Sequence, residues 1–259
     1  MTGRSAWNIA IGQWFFRYRN AVFPLIFIVS PIILLRPRIL GSPAIDRLLV
    51  TLGVAIALAG EGVRLLTIGL DYIERGGKNK RVWASRLVQG GIYAHTRNPM
   101  YLGNFLIAVG MGMASGAPQA YFILIPLFAF IYQAIMVAEE AYLERTFGAE
   151  YADYCRRVPR MLPSLKGLGQ TFASTTYDWR RAIRKELSTI TGLLIALICW
   201  PIWRTYFLDG FEAAKAKVPV TLELVLAVLV LFGLLVYLKK RRIFFYVPDP
   251  SSDMPGNLR

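Results

Sequence analysis

Two short polar segments stand out in a chain that is 55% hydrophobic and only 18% charged. Residues 87–103 contain two adjacent glycines, then a run of hydrogen-bonding side chains that leads to Pro99. Proline suits the first turn of a helix, and a helix N-terminus preceded by glycines is a ready site for a ligand carboxylate or hydroxyl. The second segment is the acid pair Glu139-Glu140. If the segments meet, arginine and amide donors would face carboxylates in one site.

Both segments also have purely structural explanations. Tyr and Arg side chains anchor helices at membrane interfaces, and two acids at a membrane boundary can simply be solvated. Glu61 and Arg64 lie within an apolar block, where each charge costs about 2.5–3.5 kcal/mol at mid-bilayer. Their spacing places them on one helical face, either as a structural ion pair or as support for a polar site. The single histidine, His95, cannot form a zinc site by itself, so no metal is expected.

Long uncharged stretches indicate the elements that position these residues. Residues 100–138 contain no Asp, Glu, Lys or Arg, and roughly 20 such residues cross a bilayer as a helix. Two crossings with a turn at 116–118 are therefore expected here. The sequence predicts an all-α, multi-spanning transmembrane bundle of about six spans with a cytoplasmic cap of loops and helix. The predicted spans are residues 20–35, 44–70, 100–117, 119–138, 188–208 and 219–238.

The basic residues predict how the bundle is oriented. Most of the 30 Lys and Arg residues lie at the N-terminus, in the two long loops and in the C-terminal tail. The positive-inside rule places both termini, both loops and the candidate site in the cytoplasm. The net charge of +14 then reflects orientation and anionic lipid headgroups, and no nucleic-acid partner is expected. Cys155 and Cys199 are expected to be free thiols, and the oligomeric state is left open.

The polar loops divide the chain into three parts. Residues 139–157 are predicted to form a helix with Leu143, Phe147, Tyr151 and Tyr154 on one face and a possible break at Gly148. The predicted units are a membrane core at 1–167, a linker and basic interfacial segment at 168–187, and a two-span extension with a basic tail at 188–259.

At this point a resemblance to a known family becomes specific. The first segment resembles the G-x-Y and R-H-P-x-Y-x-G stretch of the isoprenylcysteine carboxyl methyltransferases and phospholipid methyltransferases; the matching residues are Gly91, Tyr93, Arg97, Asn98, Pro99, Tyr101 and Gly103. The second signature is similar to residues from Glu139-Glu140 through Tyr151 to Val158-Pro159. Two further matches are Gly60-Glu61-x-x-Arg64 and Gly110-Met111-Gly112. The resemblance covers about residues 50–167.

The resemblance implies an S-adenosylmethionine-dependent membrane methyltransferase with a lipid-like substrate and membrane lipids as its surroundings. The donor is expected at the cytoplasmic ends of the third and fourth spans. The implied donor-binding residues are Tyr93, Arg97, Asn98, Tyr101, Gly103, Gly110, Gly112, Glu139 and Glu140. Among them Glu140, Arg97 and Tyr101 are the candidate catalytic residues. Glu61 and Arg64 are expected to support the site.

Two departures from the family pattern bear on the methyl acceptor. Asn98 replaces the usual histidine and can hydrogen-bond but cannot carry charge. Residues 133–138 contain no basic residue, whereas eukaryotic isoprenylcysteine enzymes have arginines just before the acid pair. A phospholipid headgroup amine is therefore favoured over an isoprenylcysteine-type carboxylate or a small thiol. The alternative outside enzymes is a membrane scaffold or transporter with a degenerate core, although a transporter is expected to show two similar halves, which this chain lacks.

Overall fold

The computed structural model describes residues 6–34, 42–71 and 82–241, and within these ranges the protein is helical without any strand. A 3₁₀ turn at Gly91–Ala94 precedes α3, and a π-helical turn at Ala120–Leu124 leads directly into α4. The helices are α1 (Ala6–Ile33), α2 (Pro43–Leu70), α3 (Pro99–Ser115), α4 (Ile125–Arg157), α5 (Leu168–Ser174), α6 (Trp179–Asp209) and α7 (Phe211–Lys240).

Five helices are long and apolar enough to cross a bilayer, so the protein is an integral membrane protein and the predicted all-α bundle is confirmed. They are α1, α2, α4 with its preceding π turn, α6 and α7. Each of the six predicted apolar blocks corresponds to a helix, but α3 has only 17 residues. At 1.5 Å per residue it is about 25 Å long, less than the roughly 30 Å hydrocarbon core. It forms a tight hairpin with α4.

The hairpin turns at Gly116, as predicted. Gly116 has φ 65° and ends α3 in the left-handed conformation that glycine adopts without steric cost. Arg204 of α6 donates to the carbonyls of Ala114 and Ser115 at 2.9 and 3.0 Å. The same guanidinium contacts the Asp46 carboxylate of α2 at 2.5 Å. Because it satisfies the last carbonyls of α3, Arg204 fixes α6 against α2 and α3 at this end of the bundle.

Small residues hold α2 and α3 unusually close together. A Cβ atom built on Gly110 would lie 2.4 Å from the Ala57 nitrogen and 2.5 Å from the Gly53 oxygen. A Cβ on Gly103 would lie 2.7 Å from the Gly60 oxygen. Interfaces of this kind let helix backbones approach closely in a membrane, where dispersion contacts dominate helix association.

Substituting Gly110 with Ala should therefore separate α2 from α3. Overpacking costs about 1–3 kcal/mol, which we expect to lower the Tm in detergent by roughly 5 °C. Gly233→Ala is the matched control, because Gly233 is also inside a helix but a Cβ there meets nothing within 4 Å. Intrinsic tryptophan fluorescence during heating measures both variants. Equal Tm values for the two would show that the close approach of α2 and α3 is not needed.

Three features of the polar segments can be compared with their predictions. The helix break at Gly148 is present, with φ 49° and ψ −116°. The segment predicted as a linker contains α5, and the basic segment at 179–186 forms the first two turns of the spanning helix α6. Several residues used for the orientation prediction lie outside the described ranges; they are Arg4, Arg36, Arg38, Arg75, Lys78, Lys80, Arg81, Arg242 and Arg259.

Candidate active site

A cavity of about 1130 Å³ lies among α1, α2, α3, α4 and α6. It brings together the two polar segments that the sequence singled out, because the α3–α4 hairpin places the start of α3 beside the middle of α4. The residues from the predicted site that line it are Arg64, Tyr93, Arg97, Asn98, Tyr101, Glu139 and Glu140.

Glu139 is the member of the acid pair that faces the cavity with the fewest protein partners in the described structure. The Tyr101 hydroxyl donates to its Oε1 at 2.6 Å. The Tyr101 ring lies 5.8 Å from the Tyr132 ring, which also lines the cavity. A carboxylate beside aromatic faces is an arrangement that attracts a ligand cation. This corner of the cavity therefore suits a positively charged group.

Glu140 is held by the protein itself. Its Oε1 accepts from Arg160 Nε at 2.8 Å and from Asn98 Nδ2 at 3.3 Å, and the residue is 3% exposed. Asn98 also donates to the Arg160 carbonyl at 3.1 Å. Asn98 therefore works here as a neutral donor that joins α3, α4 and the chain after α4. Both carboxylates line the cavity, but Glu140 is held by Arg160 and Asn98, whereas Glu139 accepts from the Tyr101 hydroxyl.

Arg160 was not singled out from the sequence, and it changes the argument about residues 133–138. Its Nη1 donates to Gln133 Oε1 at 3.0 Å, so a cation does face this stretch although none lies within it. The cation comes from the segment that follows α4. Residues 133–138 contain no basic residue themselves, but a segment later in the chain places the Arg160 cation against Gln133.

Arg97 presents a buried donor that has no hydrogen-bond partner in the described part of the chain. One guanidinium nitrogen lies 2.7 Å from Cys155 Sγ, and the backbone N–H donates to the Pro159 carbonyl at 2.9 Å, but Nε is buried and unsatisfied. Burial acts to lower the pKa of Arg97, but Cys155 and Glu140 more than offset this, so its pKa lies above the ordinary value. A permanent cation with an orphaned donor fits a ligand carboxylate.

Leu143, Tyr151 and Tyr154, which belong to the predicted apolar face of α4, line the cavity. The Tyr154 hydroxyl donates to the Tyr93 carbonyl at 2.8 Å, which fixes the 3₁₀ turn against α4. Tyr151 and Tyr154 pack with Val158 in one apolar cluster. All the side chains predicted for this face belong to the cluster.

His95 joins the segment before α3 to the segment that follows α4 through hydrogen bonds to Ser164 and Thr171. The Ser164 carbonyl can only accept, so His95 Nδ1 donates to it at 2.8 Å, and Nε2 accepts from the Thr171 hydroxyl at 2.8 Å. Ser164 returns a backbone bond to the His95 carbonyl at 2.9 Å. His95 is 3% exposed and does not line the cavity. Both ring nitrogens of His95 are therefore engaged in hydrogen bonds with the segment that follows α4.

Four predicted residues do not reach the cavity. Gly103 and Gly110 face α2, as described above, and a Cβ on Gly112 would contact Ile125 and Ala120 on the other side of the hairpin. Glu61 contacts Arg64 Nε at 3.4 Å beneath the cavity wall. In the structure the three glycines lie in helix-packing contacts and do not line the cavity, and their predicted part in donor binding stays a prediction. The seven-residue spacing of Gly103 and Gly110 places them on one helical face and was a signal for such packing.

The other half of the cavity is apolar. Phe16, Phe23 and Phe27 of α1 line it together with Phe128 and Ile135 of α4. The Phe23 and Phe128 rings stack with their centroids 5.9 Å apart. A polar corner that continues into an aromatic arm suits a ligand with a polar head and an apolar chain. Among the described residues no group of His, Cys, Asp and Glu could hold a metal ion.

Comparisons with known proteins match the part of the chain that contains most of these residues. The family model described as phospholipid methyltransferase matches residues 48–150, which contain most of the cavity residues. The cobalt-zinc-cadmium resistance protein CzcN of Cupriavidus metallidurans is 30% identical over 162 residues, which is 60% of this chain and 68% of that protein. The chain belongs to the family of phospholipid and isoprenylcysteine methyltransferases.

Other relatives of this membrane methyltransferase match shorter parts. The protein-S-isoprenylcysteine O-methyltransferase of Schizosaccharomyces pombe is 42% identical over 79 residues, or 30% of this chain and 33% of that enzyme. The nickel-cobalt-cadmium resistance protein NccN of Alcaligenes xylosoxydans xylosoxydans is 33% identical over 104 residues, or 40% of this chain and 47% of that protein. The matches thus span about two thirds of CzcN and half or less of the other two. No solved structure matches the chain significantly.

Proposed function

We propose that this protein transfers a methyl group from S-adenosylmethionine to a lipid-like acceptor bound in the cavity, with a phospholipid headgroup amine as the favoured acceptor. The observation that carries the proposal is the presence, in one cavity, of the Glu139 carboxylate with its Tyr101 partner and of Arg97 with its unsatisfied Nε. These groups complement a donor that has both a cationic centre and a carboxylate. The predicted cytoplasmic location of both termini and of the site belongs to the same proposal.

Each residue has a role that follows from its contacts. Arg97 would hold the donor carboxylate, and Glu139 would lie near the positive charge. S-adenosylmethionine held by these residues would supply an electrophilic methyl group: the acceptor's lone pair would bond to the methyl carbon as its bond to the sulfonium sulfur breaks, leaving S-adenosylhomocysteine. The protein mainly has to orient the reactants and match the changing charge. Glu139 is also the group placed to accept the proton that an amine acceptor loses.

The apolar arm supports a membrane-partitioned acceptor. Aromatic side chains of α1 and α4 extend from the Glu139 corner toward the centre of the bundle. A chain of a lipid could occupy this arm while its headgroup reaches the polar corner. An amine is the favoured acceptor because the lone pair of a neutral amine can attack the methyl group directly. The methylated nitrogen then carries a proton that Glu139 can accept.

An isoprenylcysteine-type carboxylate is the second candidate acceptor. The identity to the Schizosaccharomyces pombe enzyme favours it, and Arg160 supplies a cation near residues 133–138. Arg160 is, however, already engaged with Glu140 and Gln133. A small thiol is the third acceptor class. Incubation with labelled S-adenosylmethionine distinguishes the amine, the carboxylate and the thiol by which of them receives the labelled methyl group.

Donor binding provides the test of the proposed function. We expect the purified protein in detergent to bind S-adenosylmethionine with micromolar Kd by calorimetry and to transfer its tritiated methyl group to phosphatidylethanolamine in liposomes. Arg97→Ala should raise the Kd by about tenfold or more, because a charged hydrogen bond of roughly 1.5–3 kcal/mol is lost. Arg157→Ala is the control, since Arg157 lies on the exposed face of α4 and contacts Gln89 instead. Absence of both donor binding and transfer to any acceptor would contradict the proposal.

A further inference from the structure

Helix α6 contributes a wall of the cavity although it lies outside the part of the chain that matches the family model. Arg181, Lys185 and Thr189 all line the cavity. Their spacing of four residues places them on one face of α6. The matched region ends at residue 150, so this wall is supplied by a segment beyond it.

Buried contacts fix the position of this wall. Glu186 is fully buried and lies 2.5 Å from Arg64 Nη2, and the same nitrogen donates to the Thr189 hydroxyl at 3.2 Å. Arg181 donates to the carbonyls of Ile68 and Gly69 at 2.9 Å each. These bonds fix the rotation of α6 about its own axis. The face that carries Arg181, Lys185 and Thr189 therefore lines the cavity.

The charges of the two walls are complementary to a zwitterion. On the α4 wall is the Glu139 carboxylate, since the Glu140 charge is paired with Arg160, and on the α6 wall are the cations Lys185 and Arg181, the latter 3.8 Å from Asp178. The Arg64 charge between them is already offset by Glu186 and Glu61. Thr189 accepts from Arg64 and can still donate its own hydroxyl hydrogen to an anionic oxygen. A ligand with an amine toward α4 and an anionic oxygen group toward α6 matches both walls.

We infer that Lys185 and Thr189 form a subsite for the phosphate of the acceptor headgroup, which makes α6 the element that selects aminophospholipids. The inference rests on the proposed function. The methylated amine lies toward Glu139, the phosphate toward Lys185 and Thr189, and the acyl chains in the aromatic arm between α1 and α4. The C-terminal spans thus take part in acceptor recognition in addition to anchoring the chain.

The test compares two amine acceptors in proteoliposomes that contain the full chain. Lys185→Gln should raise the KM for phosphatidylethanolamine about tenfold, leave kcat within about twofold, and leave the KM for hexadecylamine, which lacks phosphate, unchanged. Thr189→Val should act in the same direction with a smaller effect. Lys215→Gln is the control, since Lys215 is an exposed lysine on the first turn of α7 and does not line the cavity. An equal change of KM for both amines, or no change for either, overturns the subsite.

A second readout keeps the subsite separate from the proposed reaction. Mass spectrometry of lipid retained by the purified protein should show less bound phosphatidylethanolamine for Lys185→Gln than for the wild type or Lys215→Gln. If the wild type transfers no methyl group but this difference holds, the proposed function fails and the phosphate subsite stands. A further arm adds soluble phosphoethanolamine to the protein with its retained lipid. If phosphoethanolamine displaces the lipid only at high concentration, the subsite binds the headgroup of a membrane lipid. If it displaces the lipid at micromolar concentration, the subsite binds a soluble phosphate compound and the lipid assignment is overturned.

Discussion

Replacing Glu139 with Gln is expected to lower the rate of methyl transfer by about 100-fold or more, the loss that follows removal of one preorganised electrostatic group from an active site. Gln keeps the size of the side chain and can still accept from the Tyr101 hydroxyl, but it cannot neutralise a cation or take a proton. Single-turnover transfer of a tritiated methyl group measures the rate. The Kd for the donor should rise as well, because the carboxylate also contributes to ground-state attraction.

Two further variants show whether the effect belongs to Glu139. Glu150→Gln removes an exposed carboxylate from the same helix, where it accepts from Gln89 Nε2 at 2.9 Å, and should retain full activity. Tyr101→Phe leaves the charge but removes the 2.6 Å hydrogen bond, so a smaller loss is expected. A rate for Glu139→Gln within a few-fold of the wild type would place the reacting groups elsewhere.

Replacing Glu186 with Gln is expected to destabilise the fold by about 3 kcal/mol, the lower end of the range for breaking a buried ion pair. The lower end applies because Arg64 keeps Glu61 at 3.4 Å. The cost arises because the buried Arg64 cation loses its closest charged partner, while Asn104 and Thr189, which also accept hydrogen bonds from it, are neutral. Thermal unfolding in detergent micelles, followed by fluorescence, measures the change.

Removing all the charges of this cluster together separates the ion pairs from packing. Because Arg64 also lies 3.4 Å from the buried Glu61 carboxylate, the variant combines Arg64→Met and Glu186→Leu with Glu61→Gln, and apolar replacements of a buried ion pair often restore stability. We expect this triple variant to be more stable than Glu186→Gln. Glu212→Gln breaks an exposed pair with Lys215 at 3.9 Å and should leave the Tm unchanged. A Glu186→Gln variant as stable as Glu212→Gln would show that α6 is not held to α2 by this pair.

The fold was largely predictable because apolar length and glycine turns are local signals. The blocks around residues 44–70 and 100–138 became α2, α3 and α4, and the turn at Gly116 followed from its composition. The meeting of residues 87–103 with Glu139-Glu140 could also be predicted, since a tight hairpin leaves no other arrangement for its two open ends.

The parts that could not be predicted depend on contacts between residues far apart in the sequence. Arg160 reaches Glu140 through a loop, and Glu186 reaches Arg64 across 122 positions. Neither spacing carries a helical period, so no pattern marks either pair. The basic residues around Glu186 indicated an interfacial segment, whereas the buried acid among them belongs to the start of a spanning helix. Gly110 and Gly112 match the motif but lie in helix-packing contacts, and the sequence could not distinguish the two uses because helix packing also requires small residues.

Mapping where the donor binds tests the account most directly. Ultraviolet cross-linking of tritiated S-adenosylmethionine to the full-length protein in lipid nanodiscs, followed by peptide sequencing, identifies the residues in contact with it. We expect the label on peptides that contain residues 93–101 or 132–140, with unlabelled donor abolishing it. Label confined to α7 or to the Arg204 end of the bundle, with these two peptides clean, would contradict the proposed site.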